Sequence, residues 1–342
     1  MQWNVKRPQP MVTAITIIRM QGWACENKNT VSLTLRVAEE TMAKVDKAAF
    51  IVTKPLQLMV AMTLRDQLRI QDEAQLLLVK DFSGADEVFE RIKQNDRHWS
   101  CVRSYESRKE ALNACQREAF DTIFIDSDVG VRICHSLYNV RRTRPNVRFA
   151  IYEEGCGTYQ DDYYSKFKAA ILRLLGVGDR LGGSRYVSSI WVYEPEEYNH
   201  KFPATRGKVH RVEKGLAEFI CEYAALLEEI FCDKYFIGKK NLAKDSNVSC
   251  VVYLSSWKVY QDAIEALSRY SLRYIKLHPH IRECDTSFLD SDSILVPSTI
   301  PAELLLINLA GLYREIDVYH HDSSVERYIT LPNVKFVNLH DV

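Results

Sequence analysis

Two carboxylates and a histidine in this sequence stand where they could exchange protons with a substrate. Glu153 and Glu154 come directly after the apolar run VRFAIY and directly before Gly155, and His278 follows the apolar run in KLHPH. A carboxylate and a histidine on opposite sides of one cleft can serve as general base and general acid. Each group alone also fits a structural role, the acids as a solvated turn and the histidine as a packed side chain beside Pro279.

Two later stretches carry groups that suit a nucleotide. Ser323 and Ser324 precede a predicted helix, whose first N–H groups and hydroxyls suit a phosphate, although the serines could simply cap that helix together with Glu326. Glu303 lies in the first turn of the predicted helix PAELLL, where a carboxylate favours the helix dipole. It could also hold ribose hydroxyls.

Two DSD sequences, at 126–128 and 290–292, are candidates for a metal-dependent site. Such a pair at a strand end can bind a divalent ion that bridges a nucleotide diphosphate, and Asp126 does follow the apolar DTIFI. The signal is weak because DxD is common in loops. The histidines in HPH and HH lack the spacing of zinc ligands.

Composition excludes several classes of protein. Lys and Arg number 45, as do Asp and Glu, so no overall basic field indicates nucleic-acid binding. No apolar run approaches the ~20 residues of a membrane span, and no signal-peptide pattern follows the apolar MVTAITIIRM. Nine irregularly spaced cysteines without CxxC indicate reduced thiols in a cytoplasmic protein. The basic stretch VRRTRPNVR reads as a solvated helix end, with contact to an anionic acceptor or phospholipid surface as the alternative.

Alternating strands and helices would position these groups. Predicted strands such as AAFIVT, AQLLLV, DTIFID, NVRFAIY and YVSSIWVY alternate with helices, and a long helix follows over VEKGLAEFICEYAALLEEIF. After the polar GKKNLAKDSN the alternation resumes with VSCVVYLS, LRYIKLHPH and IDVYHH. This predicts an N-terminal extension of unassigned role (1–47) and two Rossmann-like α/β domains, at 48–237 and 238–342. In parallel sheets ligands bind beyond the carboxyl ends of the strands, where the polar groups lie.

The order of these motifs resembles that of bacterial sialyltransferases, most closely the lipooligosaccharide sialyltransferase family. The stretch EEG resembles the D/E-D/E-G motif of these enzymes, and HP in KLHPH resembles their HP motif. IPAELLL and the later SS resemble nucleoside and phosphate contacts, and IVTKPLQLMVA resembles their first strand and helix. The resemblance runs from about Ala48 to Tyr328, with Glu-Glu in place of an Asp-containing pair.

The resemblance implies an α/β protein of the GT-B fold, with two Rossmann-like domains facing a central cleft. The domain at 48–237 would lie on the acceptor side, and the domain at 238–342 would bind the nucleotide sugar. It implies an inverting transfer of sialic acid from CMP-sialic acid, without a metal or other cofactor, to a glycan or glycolipid acceptor. The acceptor would be a terminal sugar, with galactose expected, of a bacterial surface glycan such as lipooligosaccharide, O-antigen or capsule. A cytoplasmic location follows, with peripheral contact at the inner face of the cytoplasmic membrane as a secondary expectation.

The resemblance also assigns roles to residues. One of the two acids would be the base, and we choose Glu153, the first acid after the strand, with Glu154 supporting it. His278 would protonate the departing phosphate of CMP. Nucleotide-sugar binding is implied for Lys276, Pro279, Glu303, Ser323, Ser324 and Gly155.

Three other functions are compatible with the sequence. A GT-B transferase could use another nucleotide sugar such as CMP-Kdo, or could be a polysialyltransferase. A metal-dependent transferase could be organised around Asp126 and Asp128. A non-catalytic module could bind glycans or nucleotide sugars. The acceptor, the linkage and the oligomeric state stay open.

Overall fold

The computed structural model describes residues 47–232, 248–281, 289 and 293–339. The predicted extension falls outside these ranges except for Lys47, and so does the predicted domain boundary between residues 237 and 238. Both therefore stay predictions.

The first sheet has seven strands, in the order β3-β2-β1-β4-β5-β6-β7, and every neighbouring pair is parallel. The order reverses beside β1, which is the arrangement of a Rossmann-like sheet. The strands are β1 (Ala48–Val52), β2 (Ala74–Val79), β3 (Cys101–Tyr105), β4 (Thr122–Ile125), β5 (Arg148–Tyr152), β6 (Val187–Val192) and β7 (Val209–Arg211).

The second sheet has five strands, in the order β10-β9-β8-β11-β12, and is also parallel throughout. Its strands are β8 (Ser249–Leu254), β9 (Arg273–Lys276), β10 (Ser293–Val296), β11 (Glu315–His320) and β12 (Val334–Asn338). We call the part of the chain around each sheet the first lobe and the second lobe. The sequence did not predict β7, β10 and β12, which are three of the four edge strands of these sheets.

Helices connect the strands. They are α1 (Pro55–Gln67), α2 (Ala85–Asn95), α3 (Arg108–Cys115), α4 (Val131–Thr143), α5 (Lys166–Leu174), α6 (Pro195–Lys201), α7 (Leu216–Glu222), α8 (Ala224–Phe231), α9 (Gln261–Ala266), α10 (Ala302–Ala310) and α11 (Val325–Tyr328). Helix α1 begins with Pro55, whose missing N–H costs nothing in a first turn. Within the described residues, no helix combines the length and the apolar character that crossing a bilayer demands.

The long helix predicted over 212–231 is two helices, and this prediction was wrong. Tyr223, with φ −102° and ψ 19°, separates α7 from α8. Its hydroxyl donates to Asp66 Oδ2 on α1 at 2.6 Å, and its ring stacks on Phe219. The hydrogen bond to Asp66 is a tertiary contact, and the periodic apolar pattern gave no sign of it.

The two lobes share one hydrophobic cluster. Helix α7 contacts both α1 of the first lobe and α10 of the second, and side chains of both sheets belong to the same buried set. Polar contacts join the lobes as well, since Ser83 N–H donates to Pro279 O at 2.9 Å. Gly84, at φ 80°, packs so closely on Thr299 that a Cβ would lie 2.3 Å from its methyl group. The two lobes are therefore in direct contact around Ser83 and Gly84.

Candidate active site

A cavity lies between the lobes, at the carboxyl ends of strands from both sheets. Seven of the nine residues predicted from the sequence line it, and Glu153 and Gly155 do not. The lining residues are Lys54, Pro55, Leu56 and Glu154 from the first lobe, and Leu254, Ser255, Lys276, Leu277, His278, Pro279, Pro301, Ala302, Glu303, Ser323 and Ser324 from the second.

Glu154 is the acid that faces the cavity. Its Oε2 lies 3.2 Å from Lys54 Nζ, and its side chain is 18% exposed. Burial raises the pKa of Glu154, while the charge of Lys54 opposes that shift. The main-chain N–H of Glu154 donates to Thr158 Oγ1 at 2.9 Å, which holds the turn after β5. Glu154 can therefore accept a proton from a group bound in the cavity.

Glu153 lies beneath the cavity wall, so the geometry favours Glu154 over our choice, Glu153, as the acid that meets a ligand. Its side chain is fully buried and accepts hydrogen bonds from Tyr159 Oη (2.8 Å), from the Tyr193 N–H (2.7 Å) and from Tyr328 Oη. Burial outweighs these donors and raises the pKa of Glu153 to about 7. Because Tyr328 belongs to the second lobe, Glu153 ties the lobes together and positions its neighbour Glu154.

Gly155 allows the two motifs to approach each other. Its φ of 120° lies in the range that favours glycine, and a Cβ there would lie 3.2 Å from Ser324 Oγ. Gly155 therefore lies behind the cavity lining, where it sets the distance between EEG and Ser324. Its role in nucleotide-sugar binding stays a prediction.

His278 is held with one ring nitrogen engaged. Its Nδ1 accepts the His280 N–H at 3.3 Å, and its own main-chain N–H donates to Ser255 Oγ at 2.8 Å. In the neutral ring this leaves the proton on Nε2. Burial, together with the nearby His280, Lys54 and Lys276, lowers the pKa of His278 to about 4.

An exposed tryptophan supports the histidine ring. Trp257 stacks on His278 with centroids 4.6 Å apart and on His280 with centroids 4.7 Å apart. Trp257 itself is 68% exposed. Such a stack fixes the plane of the imidazole, and with it the direction in which Nε2 points.

Lys276 and Glu303 form the buried back of the cavity, with 4% and 5% exposure. Lys276 Nζ donates to Leu277 O at 3.1 Å and to Ser298 O at 3.2 Å. Burial lowers the pKa of Lys276 to about 7, and it raises the pKa of Glu303 to about 7. Each charge partly stabilises the other, but burial is the larger effect on both. Burial thus disfavours the charged forms of both side chains, and both can form hydrogen bonds with a polar ligand in the cavity.

Ser323 and Ser324 line the cavity, but the helix predicted to follow them is short. Helix α11 has only four residues, so its dipole contributes little. Ser323 Oγ accepts the Val325 N–H at 3.4 Å, and the Ser323 N–H donates to His320 Nδ1 at 3.1 Å. The hydroxyls, rather than a helix terminus, are what these residues offer to a phosphate.

The first DSD sequence supports the fold. Asp126 Oδ2 accepts hydrogen bonds from Thr53 Oγ1, Gln57 Nε2 and Arg108, and both oxygens of Asp128 accept main-chain N–H groups of the Gly-rich turn at 182–184. No three His, Cys, Asp or Glu side chains form a metal-like cluster in the described part of the chain. The geometry does not favour the site proposed around Asp126 and Asp128. The second DSD, at 290–292, lies outside the described residues.

Three residues near the cavity were missed by sequence reasoning. Lys54 and Ser255 follow β1 and β8, so the strand-end rule that located the acids could have found them. Trp257 gave no local signal beyond its position two residues further on. The arginines of the VRRTRPNVR stretch do not line the cavity, and Arg141 instead donates to Val147 O at 2.6 Å.

No protein-family model matches the chain, and no curated protein matches its sequence. Solved structures do match its fold. The UDP-GlcNAc 2-epimerase from Neisseria meningitidis bound to UDP-GlcNAc aligns at a TM-score of 0.54 and 10% identity, covering 86% of this chain and 83% of that chain. The UDP-GlcNAc 2-epimerase from Methanocaldococcus jannaschii aligns at a TM-score of 0.51 and 9% identity, covering 85% and 89%. The chain thus has the predicted GT-B fold.

Proposed function

We propose that the chain is an inverting, metal-independent sialyltransferase that moves sialic acid from CMP-sialic acid to a terminal sugar of a bacterial surface glycan. The observation that carries the proposal is that Glu154 and His278 come from different sheets and line one cavity. The order of the motifs and the GT-B fold support it. Galactose is the expected acceptor sugar.

Glu154 acts as the base in this proposal. It takes the proton of the acceptor hydroxyl while that oxygen forms a bond to the anomeric carbon of sialic acid. The bond between this carbon and the phosphate oxygen of CMP breaks, and its electron pair leaves with the phosphate. Attack opposite to the leaving group inverts the anomeric configuration. The neighbouring Lys54 favours the ionised form of Glu154, against the effect of burial.

His278 acts as the acid. Its low pKa keeps the ring neutral in the empty cavity, but the negative phosphate of a bound donor raises that pKa and favours the imidazolium. The proton on Nε2 then passes to the phosphate oxygen as CMP departs. A phosphate monoester needs one charge neutralised rather than the two of a diphosphate, so a histidine and hydroxyls suffice.

The buried back of the cavity would hold the nucleotide. Glu303 accepts hydrogen bonds from the ribose hydroxyls, and Lys276 lies near the nucleotide. Ser323 and Ser324 donate to the phosphate. All four line the same cavity as the acid and the base.

A donor assay with and without EDTA tests the proposal. The purified protein is incubated with CMP-sialic acid and a galactose-terminated acceptor, and released CMP and sialylated product are measured. Metal-independent release and transfer are expected. Strict metal dependence would favour a different centre, and binding of CMP without turnover would favour a binding module. Parallel reactions with CMP-Kdo and UDP-GlcNAc test other donors, the latter because the similar solved structures include epimerases of that sugar nucleotide.

A further inference from the structure

Helix α5 presents an apolar face to solvent. Phe167 is 79% exposed, Ile171 43% and Leu174 87%, and Leu175 just beyond the helix is 58% exposed. The spacing of 167, 171 and 174 places these side chains on one side of the helix. The side that packs on the protein is made by Ala169 and Leu172. A face of this kind is usually covered by a partner or a membrane.

Cations border this face on both sides. At 100° per residue, Lys168 falls on one flank of the stripe, and Lys166 and Arg173 fall on the other. The helix contains no acidic residue. Arg173 is paired with Asp179 at 2.6 Å, so the excess of positive charge comes mainly from the two lysines.

The neighbouring helix α4 extends the exposed apolar surface of this part of the first lobe. The Gly130 N–H donates to Gly178 O at 2.8 Å, which joins the start of α4 to the turn after α5. The first residue of α4, Val131, is 61% exposed. Arg132, next to it, is exposed as well.

We propose that α5 docks the protein on a bilayer that contains anionic phospholipids, with its axis parallel to the membrane plane. Phe167, Ile171 and Leu174 enter the boundary between headgroups and acyl chains, and Lys166 and Lys168 contact the phosphates. Apolar and basic residues arranged in this way are typical of helices that lie in a membrane interface. The inference does not depend on which donor the cavity takes.

A second copy of the chain fits this face less well. In a twofold pairing of α5 with itself, the lysine flanks would meet one another or the apolar stripe, and the helix supplies no carboxylate to pair with them. Anionic headgroups complement the apolar stripe and both flanks together. The helix also follows the EEG motif closely in the chain, so docking would bring the first-lobe wall of the cavity near the membrane surface.

Vesicle flotation tests the apolar contribution. Wild-type protein is mixed with vesicles of phosphatidylethanolamine and phosphatidylglycerol, or of phosphatidylcholine alone, and we expect it to float with the anionic vesicles. Leu174→Ser should weaken this binding about tenfold or more, because a leucine that enters the interface is lost. The matched control is Leu295→Ser, which removes an exposed leucine from β10 and should float as the wild type does.

Charge reversal tests the electrostatic contribution. Lys166→Glu with Lys168→Glu should weaken binding about 25-fold or more, because each lysine near an anionic surface strengthens binding by a factor of about five. Lys93→Glu with Lys335→Glu changes the net charge equally at exposed sites on α2 and β12 and should have less than about a threefold effect. Unchanged thermal unfolding of each variant shows that the fold is intact.

Three results would overturn the proposal. The first is a wild type that floats with neither vesicle, and the second is a set of α5 variants that float as the wild type does. The third is a wild-type dimer in sedimentation experiments that Leu174→Ser converts to a monomer, without vesicle binding by either protein. That result would assign the face to a second copy of the chain.

Discussion

The two walls of the cavity hold their ionisable groups in different ways. On the first-lobe wall, Glu154 is paired with Lys54 at 3.2 Å and keeps some contact with solvent. On the second-lobe wall, Lys276 and Glu303 are almost completely buried, and their pKa values are both shifted towards about 7. His278, on the same wall, has a pKa lowered to about 4.

The difference indicates an order of events. The pair on the first wall is already in contact before any ligand binds, so the position of Glu154 does not depend on a ligand. On the second wall, the negative phosphate of a ligand would raise the pKa of His278 and of Lys276 and so favour their charged forms. Under the proposed function, the donor would therefore bind first and favour protonation of His278. Glu154 would then accept the proton of the acceptor hydroxyl.

The largest effect of a substitution is expected at the first wall. Glu154→Gln should lower sialic acid transfer about 10²–10⁴-fold, because it removes the base while keeping the shape of the side chain. CMP binding and slow hydrolysis of CMP-sialic acid should persist. Glu153→Gln is the matched control, since it alters an adjacent acid that does not reach the cavity, and its effect on transfer should be much smaller. Equal transfer by wild type and Glu154→Gln would remove Glu154 from the mechanism.

Glu153 should instead affect how the free energy of unfolding depends on pH. Its pKa is raised to about 7 in the folded protein from the usual value near 4.5, so the folded state binds the proton more tightly. The stabilisation is therefore complete below about pH 4.5 and is lost as the pH rises through 7, by about 3 kcal/mol in total. Chemical unfolding of wild type and Glu153→Gln at several pH values measures it. A constant difference between the two proteins from pH 5 to pH 8 would contradict the burial argument.

On the second wall, His278→Ala should lower turnover about 10²-fold, because a proton on the leaving phosphate matters only as the bond breaks. The effect lies near the lower end of the usual range, since a phosphate monoester is already a good leaving group. Steady-state kinetics gives the turnover, and calorimetry should show nearly unchanged affinity for CMP. A variant with normal turnover would exclude the acid role.

Calorimetry in buffers of different ionisation enthalpy provides a second readout for the same histidine. If the donor phosphate raises the pKa of His278 from about 4, CMP binding at pH 6 should take up protons. The uptake should fall in His278→Ala, and any uptake that remains would belong to Lys276, because Glu303 releases a proton when it ionises. Equal uptake by both proteins would show that His278 does not titrate on binding.

The smallest effect is expected at the two serines. Ser323→Ala with Ser324→Ala should raise the KM for the donor about tenfold, because hydrogen bonds to a charged phosphate are lost while acid and base stay in place. Titration of CMP by calorimetry checks whether the loss is in binding. Unchanged affinity would mean that the serines only shape the turn before α11.

The sequence was sufficient to find both walls but not to orient them. Polar residues after apolar runs marked the strand ends, and strand ends of parallel sheets meet ligands, so Glu154 and His278 could be found. Glu303 was found as a carboxylate in the first turn of a predicted helix. Successive residues leaving a strand point to opposite sides, so only one of Glu153 and Glu154 was expected to face the cavity. Which acid was which depended on Tyr159, Tyr193 and Tyr328, whose approach to Glu153 is tertiary.

The errors in the fold have a similar origin. The edge strands β7, β10 and β12 are only three to five residues long and are mostly half-buried, so each is too short to show a clear alternating pattern. The break between α7 and α8 depends on a hydrogen bond from Tyr223 to a distant aspartate. Local patterns report burial well and long-range polar contacts poorly.

The hydrophobic cluster shared by the lobes has a consequence for cutting the chain. Because α7 contacts helices of both lobes, a polypeptide ending after α8 would expose the face of α7 that α10 now covers, and the isolated second lobe would expose α10. Split proteins made by dividing the chain between the lobes should therefore be prone to aggregation when expressed singly. They should recover when both halves are produced together, which makes this boundary a natural place for a complementation reporter.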